Sequence, residues 1–99
     1  MIDLTARDLE IVTEILRNHV PDCEVRAFGS RVTGNAKKFS DLDLALIGPE
    51  KLDWRKLEEL RDAFSESDLP IIVDVHDWKA IPEEFRVIIC KTFQTICLN

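Results

Sequence analysis

The chemistry-bearing residues of this chain are aspartates. Asp41 and Asp43 flank Leu42 at the head of an apolar run, and Asp74 interrupts a β-branched one, Ile71-Ile72-Val73-Asp74-Val75. Alternate residues of a strand share a face, so Asp41 and Asp43 project together while Leu42 and Leu44 point inward. Neighbouring carboxylates repel each other unless a cation sits between them, and a hard ion such as Mg²⁺ takes oxygen ligands. Upstream, Phe28-Gly29-Ser30-Arg31 turns out of another apolar run. The backbone N–H groups of such a turn can hold phosphate oxygens. The two features together describe a site for a metal-bound nucleoside triphosphate.

An ionised Asp74 inside a run that otherwise reads as buried is costly unless paired or metal-bound. It is therefore expected to converge with Asp41 and Asp43, and three carboxylates can hold two Mg²⁺ ions. Each aspartate also has an ordinary reading: Asp41 as a turn residue, Asp43 as a surface residue, Asp74 as acceptor for a buried donor. Their coincidence with a Gly-Ser turn is what points to a site.

The elements that must position these residues follow from periodicity and punctuation. Thr5 suits a helix N-cap, Leu9, Val12, Ile15 and Leu16 recur at helical spacing, and Pro21 ends that helix. Residues 24–28 read as a strand, 30–35 as a short helix starting at the Gly-Ser turn, and 41–47 as a second strand closed by Gly48-Pro49. Leu57, Leu60 and Phe64 give a second amphipathic helix within residues 52–64, and its charges form a solvated face. Residues 71–75 form a third strand, with Asp77 beyond it as a turn residue. Pro82 opens a last helix carrying Phe85, Ile88, Ile89, Phe93 and Ile96. The order is α-β-α-β-α-β-α, an α/β (α+β) fold with a small mixed sheet flanked by helices. The Gly-Ser turn follows one strand and Asp41 begins the next, so they share an end of the sheet only if those strands are antiparallel.

Ninety-nine residues suit a single domain over 1–99, and no repeat or linker divides it. A hydrophobic fraction of 45% with 32% charged residues excludes disorder. The net charge of −6 argues against direct DNA or RNA binding, which needs a basic surface, but not against one nucleotide bound through Mg²⁺. No apolar stretch approaches a membrane span, and the amphipathic N-terminus is unlike a signal peptide. Cys23, Cys90 and Cys97 show no metal-ligand spacing and read as reduced thiols of a cytoplasmic protein. His19 and His76 read as surface or packing residues.

The combination of Gly29-Ser30, Asp41-Leu42-Asp43 and Asp74 resembles the minimal nucleotidyltransferase (MNT) branch of the DNA polymerase β-like nucleotidyltransferase superfamily. Gly-Ser-Arg-x-x-Gly over residues 29–34 and Ser-Asp-x-Asp-Leu over 40–44 are typical of that branch. The resemblance implies that Gly29 and Ser30 hold the triphosphate of ATP, with Arg31 as a further contact and Lys37 or Lys38 nearby. It implies that Asp41 and Asp43 bind two Mg²⁺ ions, and that Asp74 binds the catalytic one and helps deprotonate the acceptor hydroxyl. It also implies a helical HEPN-family partner, a toxin whose tyrosine receives AMP from this chain as antitoxin. Trp54, Trp78 and the apolar C-terminal segment are candidates for that interface, against a default of core packing. Homo-oligomerisation stays open. The alternatives are a nucleotidyltransferase for a small molecule held by a separate subunit, and a docking module with a vestigial nucleotide site.

Overall fold

Three leucines at alternate positions determine which way the sheet faces. Leu42, Leu44 and Leu46 are fully buried, as are Val25 and Ala27 on the neighbouring strand. Their burial against helices on one side leaves the intervening residues on the other. In the computed structural model, residues 2–98 are described. They form α1 (Ala6–His19), β1 (Glu24–Phe28), α2 (Ser30–Thr33), β2 (Leu42–Ile47), α3 (Trp54–Ser65), β3 (Val73–Asp77), α4 (Glu83–Lys91) and β4 (Gln94–Ile96). The sheet order is β3-β2-β1-β4; β1 is antiparallel to both neighbours, and β2 and β3 are parallel. The mixed sheet and the antiparallel first pair required by the site are both present.

On one face, Val12 and Leu16 of α1 and Leu60 and Phe64 of α3 pack against Val25, Ala27, Leu42, Leu44, Leu46, Val75 and Ile96. Each fully buried aliphatic side chain contributes on the order of 1.5–3 kcal/mol of transfer free energy. The helices start at side-chain caps: Thr5 Oγ1 accepts from the Asp8 N–H at 3.1 Å, and Asp53 Oδ1 from the Arg55 N–H at 3.0 Å. On the opposite face a smaller cluster of Phe28, Ala45 and Ile89 is flanked by Trp78, Ile81 and Phe85. Helix α4 thus covers part of that face.

Several boundaries differ from the pattern read in the sequence. The last helix ends at Lys91, and Phe93 and Ile96 do not belong to it: Thr92 is extended and residues 94–96 pair with β1. The edge of β1 offers ladder partners, and Ile96 reaches the core opposite Val25, which outweighs the helical spacing. The third strand begins at Val73 rather than Ile71, and runs on to Asp77. The short helix closes at Thr33 because Gly34 takes the left-handed conformation, φ 89°. Asp41 lies just before β2 rather than within it.

Asp77 is a buried strand residue and not the turn residue that its place past the apolar run suggested. It shares the inward parity of Val73 and Val75, where an unpartnered carboxylate would be costly. Its Oδ2 accepts from the Leu52 N–H at 2.9 Å and its Oδ1 from the Lys79 N–H at 3.1 Å. One carboxylate therefore fixes the loop entering α3 and the turn leaving β3. Asp77→Ala should lower unfolding free energy by about 2–3 kcal/mol, since two part-buried amide groups lose charge-assisted bonds. Urea denaturation with an unchanged m-value would register this; an unchanged midpoint would show the loop to be held by packing alone.

Candidate active site

With the leucines of β2 turned inward, Asp43 must lie on the other face. The ladder then determines its neighbours: Asp43 is opposite Phe28 on β1 and opposite Asp74 on β3. Parallel pairing thus sets two carboxylates side by side, one strand spacing (about 4.8 Å) apart. Asp74 comes to this face because Val73 and Val75 take the buried one. The expectation that Asp74 is a buried charge is corrected: its side chain is 52% exposed on the edge strand, where water offsets the repulsion.

Gly29 follows Phe28 at the end of β1 and caps α2 with φ 80°. A Cβ built there would stand 2.5 Å from Asp43 Oδ2. Only glycine combines that backbone conformation with so close an approach of main chain to carboxylate. The Gly29 carbonyl accepts from the Val32 and Thr33 N–H groups, so the turn winds directly into helix. Ser30, half-buried, opens that helix, where the first N–H groups have no carbonyl behind them. Gly29, Ser30, Asp43 and Asp74 are therefore brought to one end of one sheet face.

The other expected residues are placed differently. Asp41 is exposed and lies outside the tight group, although its charge still raises the Asp43 pKa. Arg31 is 7% exposed and its guanidinium is engaged by main chain. Nε donates to the Ser40 carbonyl at 2.9 Å and Nη1 to Asp3 at 2.7 Å, while Nη2 donates to Lys38 at 3.1 Å and Lys37 at 3.4 Å. Arg31 clamps the 37–40 loop that leads to Asp41, and its donors are not turned to the cleft. Lys37 and Lys38 are exposed loop residues. Trp54 is 68% exposed, while Trp78 packs under the α4 cluster.

His76 was not anticipated. Two residues beyond Asp74 on β3, it shares that residue's face, and its Nε2 lies 3.3 Å from Asp74 Oδ2. Among the described residues, ligand atoms of Asp43, Asp74 and His76 all lie within 4.8 Å of one another. The Asp74-Val75-His76 spacing could have disclosed this, because i, i+2 on a strand is the same relation that joins Asp41 to Asp43. Burial pushes the Asp43 carboxyl above its ordinary 3.8, the Asp74 charge adds to the rise, and His76 opposes it. The donor chemistry fits a divalent cation: carboxylates whose mutual repulsion a metal would relieve.

Comparisons with known proteins bear on this geometry. Residues 10–99 match the family described as polymerase beta, nucleotidyltransferase. Over 95 residues the chain is 53% identical to the "Probable protein adenylyltransferase MntA" of Haemophilus influenzae, covering 96% of this chain and 83% of that protein. Among solved structures, a toxin–antitoxin with AMP-PNP superposes with a TM-score of 0.70 at 20% identity, covering 92% of this chain and 73% of the other. A complex of tri-AMPylated Shewanella oneidensis HEPN toxin with MNT antitoxin gives 0.63 at 17% identity, covering 94% and 71%. At such identities the structural likeness carries the fold alone.

Three substitutions separate the roles of these groups. Gly29→Ala should cost about 1–3 kcal/mol through its positive-φ, extended backbone alone and should also displace the Asp43 carboxylate. Chemical denaturation and metal titration of the same protein would register both effects. Arg31→Met should lower stability by about 2–4 kcal/mol, because four carbonyls lose a buried charged donor. If stability holds and only ATP affinity falls, Arg31 is a phosphate contact rather than a clamp. For Asp43 the sign is the reverse. Its folded pKa is raised, so the ionised form subtracts from stability above that pKa, and the penalty is absent below the unfolded value. Asp43→Asn should therefore melt higher than wild type at neutral pH without metal, and the difference should vanish as pH falls below about 4. Melting curves at the two pH values decide it.

Proposed function

The chain belongs to the polymerase β nucleotidyltransferase family, and from that premise we propose that it transfers AMP from ATP to a tyrosine hydroxyl of a helical HEPN partner. In this reading it is the antitoxin of a toxin–antitoxin pair, working in the cytoplasm as a single minimal domain. The observation that carries the proposal is the approach of Gly29 to Asp43 with Asp74 in register beside it. It puts a side-chain-free turn, able to admit phosphate, against two carboxylates suited to a divalent cation. The 53% identity to an MntA adenylyltransferase over almost the whole chain supports the same activity.

The chain's own residues divide the work as follows. Gly29 lets the main chain approach the triphosphate, and Ser30 offers its amide and hydroxyl to phosphate oxygens. Asp43 and Asp74, with Asp41 adjacent, would hold two Mg²⁺ ions; when bound, these neutralise charge on the α-phosphate and the leaving pyrophosphate. Asp74, solvated at the sheet edge, accepts the proton of the acceptor hydroxyl. The acceptor oxygen forms its bond to the α-phosphorus as the bond to pyrophosphate breaks, and pyrophosphate leaves with the electron pair. Arg31 acts one step back, holding the loop that carries Asp41. Trp54 and the exposed Val87 and Ile88 of α4 supply apolar area for a protein partner.

The test is incubation of the chain with labelled ATP, Mg²⁺ and the protein encoded beside it. Label should appear on a partner tyrosine, and Asp74→Asn should slow its appearance at least ~10²-fold. The double variant Asp41→Asn/Asp43→Asn should still co-purify with the partner yet fail to relieve growth arrest, because the anchors for docking lie elsewhere. Full protection by that variant would replace transfer with simple docking. Labelling of a small molecule with no labelling of the partner would favour the small-molecule alternative.

A further inference from the structure

His76 does not lie loosely on the surface. Its ring packs against Phe28 with centroids 5.7 Å apart and meets Phe85 edge-on at 5.4 Å; Phe28 and Phe85 are themselves edge-on at 5.6 Å. The imidazole is thus wedged between a β1 and an α4 aromatic, and such pairs hold a ring in one orientation. That orientation aims Nε2 at Asp74 Oδ2, 3.3 Å away, on the same face as Asp43. Ligands around one tetrahedral or octahedral ion with bonds near 2.0–2.1 Å stand roughly 3–3.4 Å apart. Groups already within 4.8 Å of one another need only small side-chain rotations to reach that spacing.

A nitrogen donor changes which ion such a site prefers. Mg²⁺ takes oxygen and retains its waters, whereas imidazole suits borderline first-row ions. We propose that His76 is a metal ligand in this protein, completing with Asp43 and Asp74 a mixed nitrogen–oxygen site that takes Zn²⁺ or Co²⁺ in preference to Mg²⁺. Asp41, exposed and outside the group, is not needed for this set. A borderline ion seated there occupies both carboxylates assigned above to Mg²⁺, so it competes with Mg²⁺ for them. The inference rests on the reading that Asp43 and Asp74 hold metal, and goes beyond it in naming a third ligand and a different ion.

The experiment uses the whole metal-free chain, titrated with Co²⁺ or Zn²⁺ alone and with Mg²⁺ alone. Two variants remove the nitrogen. His76→Phe keeps a ring between Phe28 and Phe85, and His76→Gln keeps a polar side chain. Melting curves without metal establish that at least one of them folds as wild type does. Co²⁺ affinity, followed by its visible absorption, is expected to fall by about 10-fold or more in a folded variant, with Mg²⁺ affinity changed less than about twofold. In the wild-type NMR spectrum, Zn²⁺ should shift the ring resonances of His76 and leave those of His19, distant on α1, in place. Equal Co²⁺ affinity in wild type and a folded variant would overturn the inference, as would an equal loss of Mg²⁺ binding or unshifted His76 resonances. Failure here with Asp43→Asn still inactive in AMP transfer leaves the proposed function standing. Loss of Co²⁺ binding in the variants together with full transfer by Asp43→Asn would sink that function instead.

Discussion

The approach of the Gly29 main chain to the Asp43 carboxylate is the constraint on which the site depends. It needs a residue without a Cβ, a backbone at φ 80°, and antiparallel pairing that ends with Phe28 opposite Asp43. If any of the three changes, the Gly-Ser turn and the carboxylates separate. Parallel pairing of β2 with β3 then supplies the second carboxylate without further adjustment, since register alone sets Asp74 beside Asp43. The mixed sheet is therefore a functional necessity. A uniformly parallel sheet would send the turn and the Asp-x-Asp motif to opposite ends.

This arrangement works against stability locally and is supported by the rest of the fold. Two like charges one strand apart, with the Asp43 carboxyl partly desolvated, favour the neutral or metal-bound state. The opposite face carries the compensation, a continuous apolar layer of β-strand residues under α1 and α3. The loop before Asp41 buries little apolar surface of its own, Phe39 being 69% exposed. Arg31 supplies what burial does not, drawing four carbonyls around one guanidinium. A buried arginine bonded only to main chain acts as a fixed joint, and it leaves Lys38 and Phe39 turned to solvent.

The partial cover on the site's own face is equally consequential. Helix α4 reaches the sheet through Phe85 and Ile89, beside a half-buried Asp43 and an exposed Asp74. Phe85 and Phe28 grip His76, so the helix that closes part of the face also positions a donor next to Asp74. Val87 and Ile88 on the other side of the same helix remain exposed. One short helix thereby links the sheet, the cleft and the outer surface.

Much of this was legible in the sequence because it depends on local periodicity. Alternation in residues 42–46 assigns Asp43 to one face whatever the fold, and Thr5 caps its helix through its own side chain. Gly29-Ser30 beside Asp41-Leu42-Asp43 sufficed to propose a nucleotide site, since turn chemistry and i, i+2 spacing are properties of the chain itself. The rest required partners distant in sequence. Residues 94–96 become strand only because β1 has an edge to fill. Asp74 is exposed rather than buried only because β3 is the outer strand, and Asp77 is buried only because Leu52 and Lys79 bring their amides to it. Arg31 has the sequence position of a phosphate contact and the geometry of a clamp, a difference set by where the 37–40 loop folds back. His76 resembles any histidine until register sets it beside Asp74 and two phenylalanines hold its ring. Local pattern determines which face a side chain takes; only the assembled sheet determines what else is on that face.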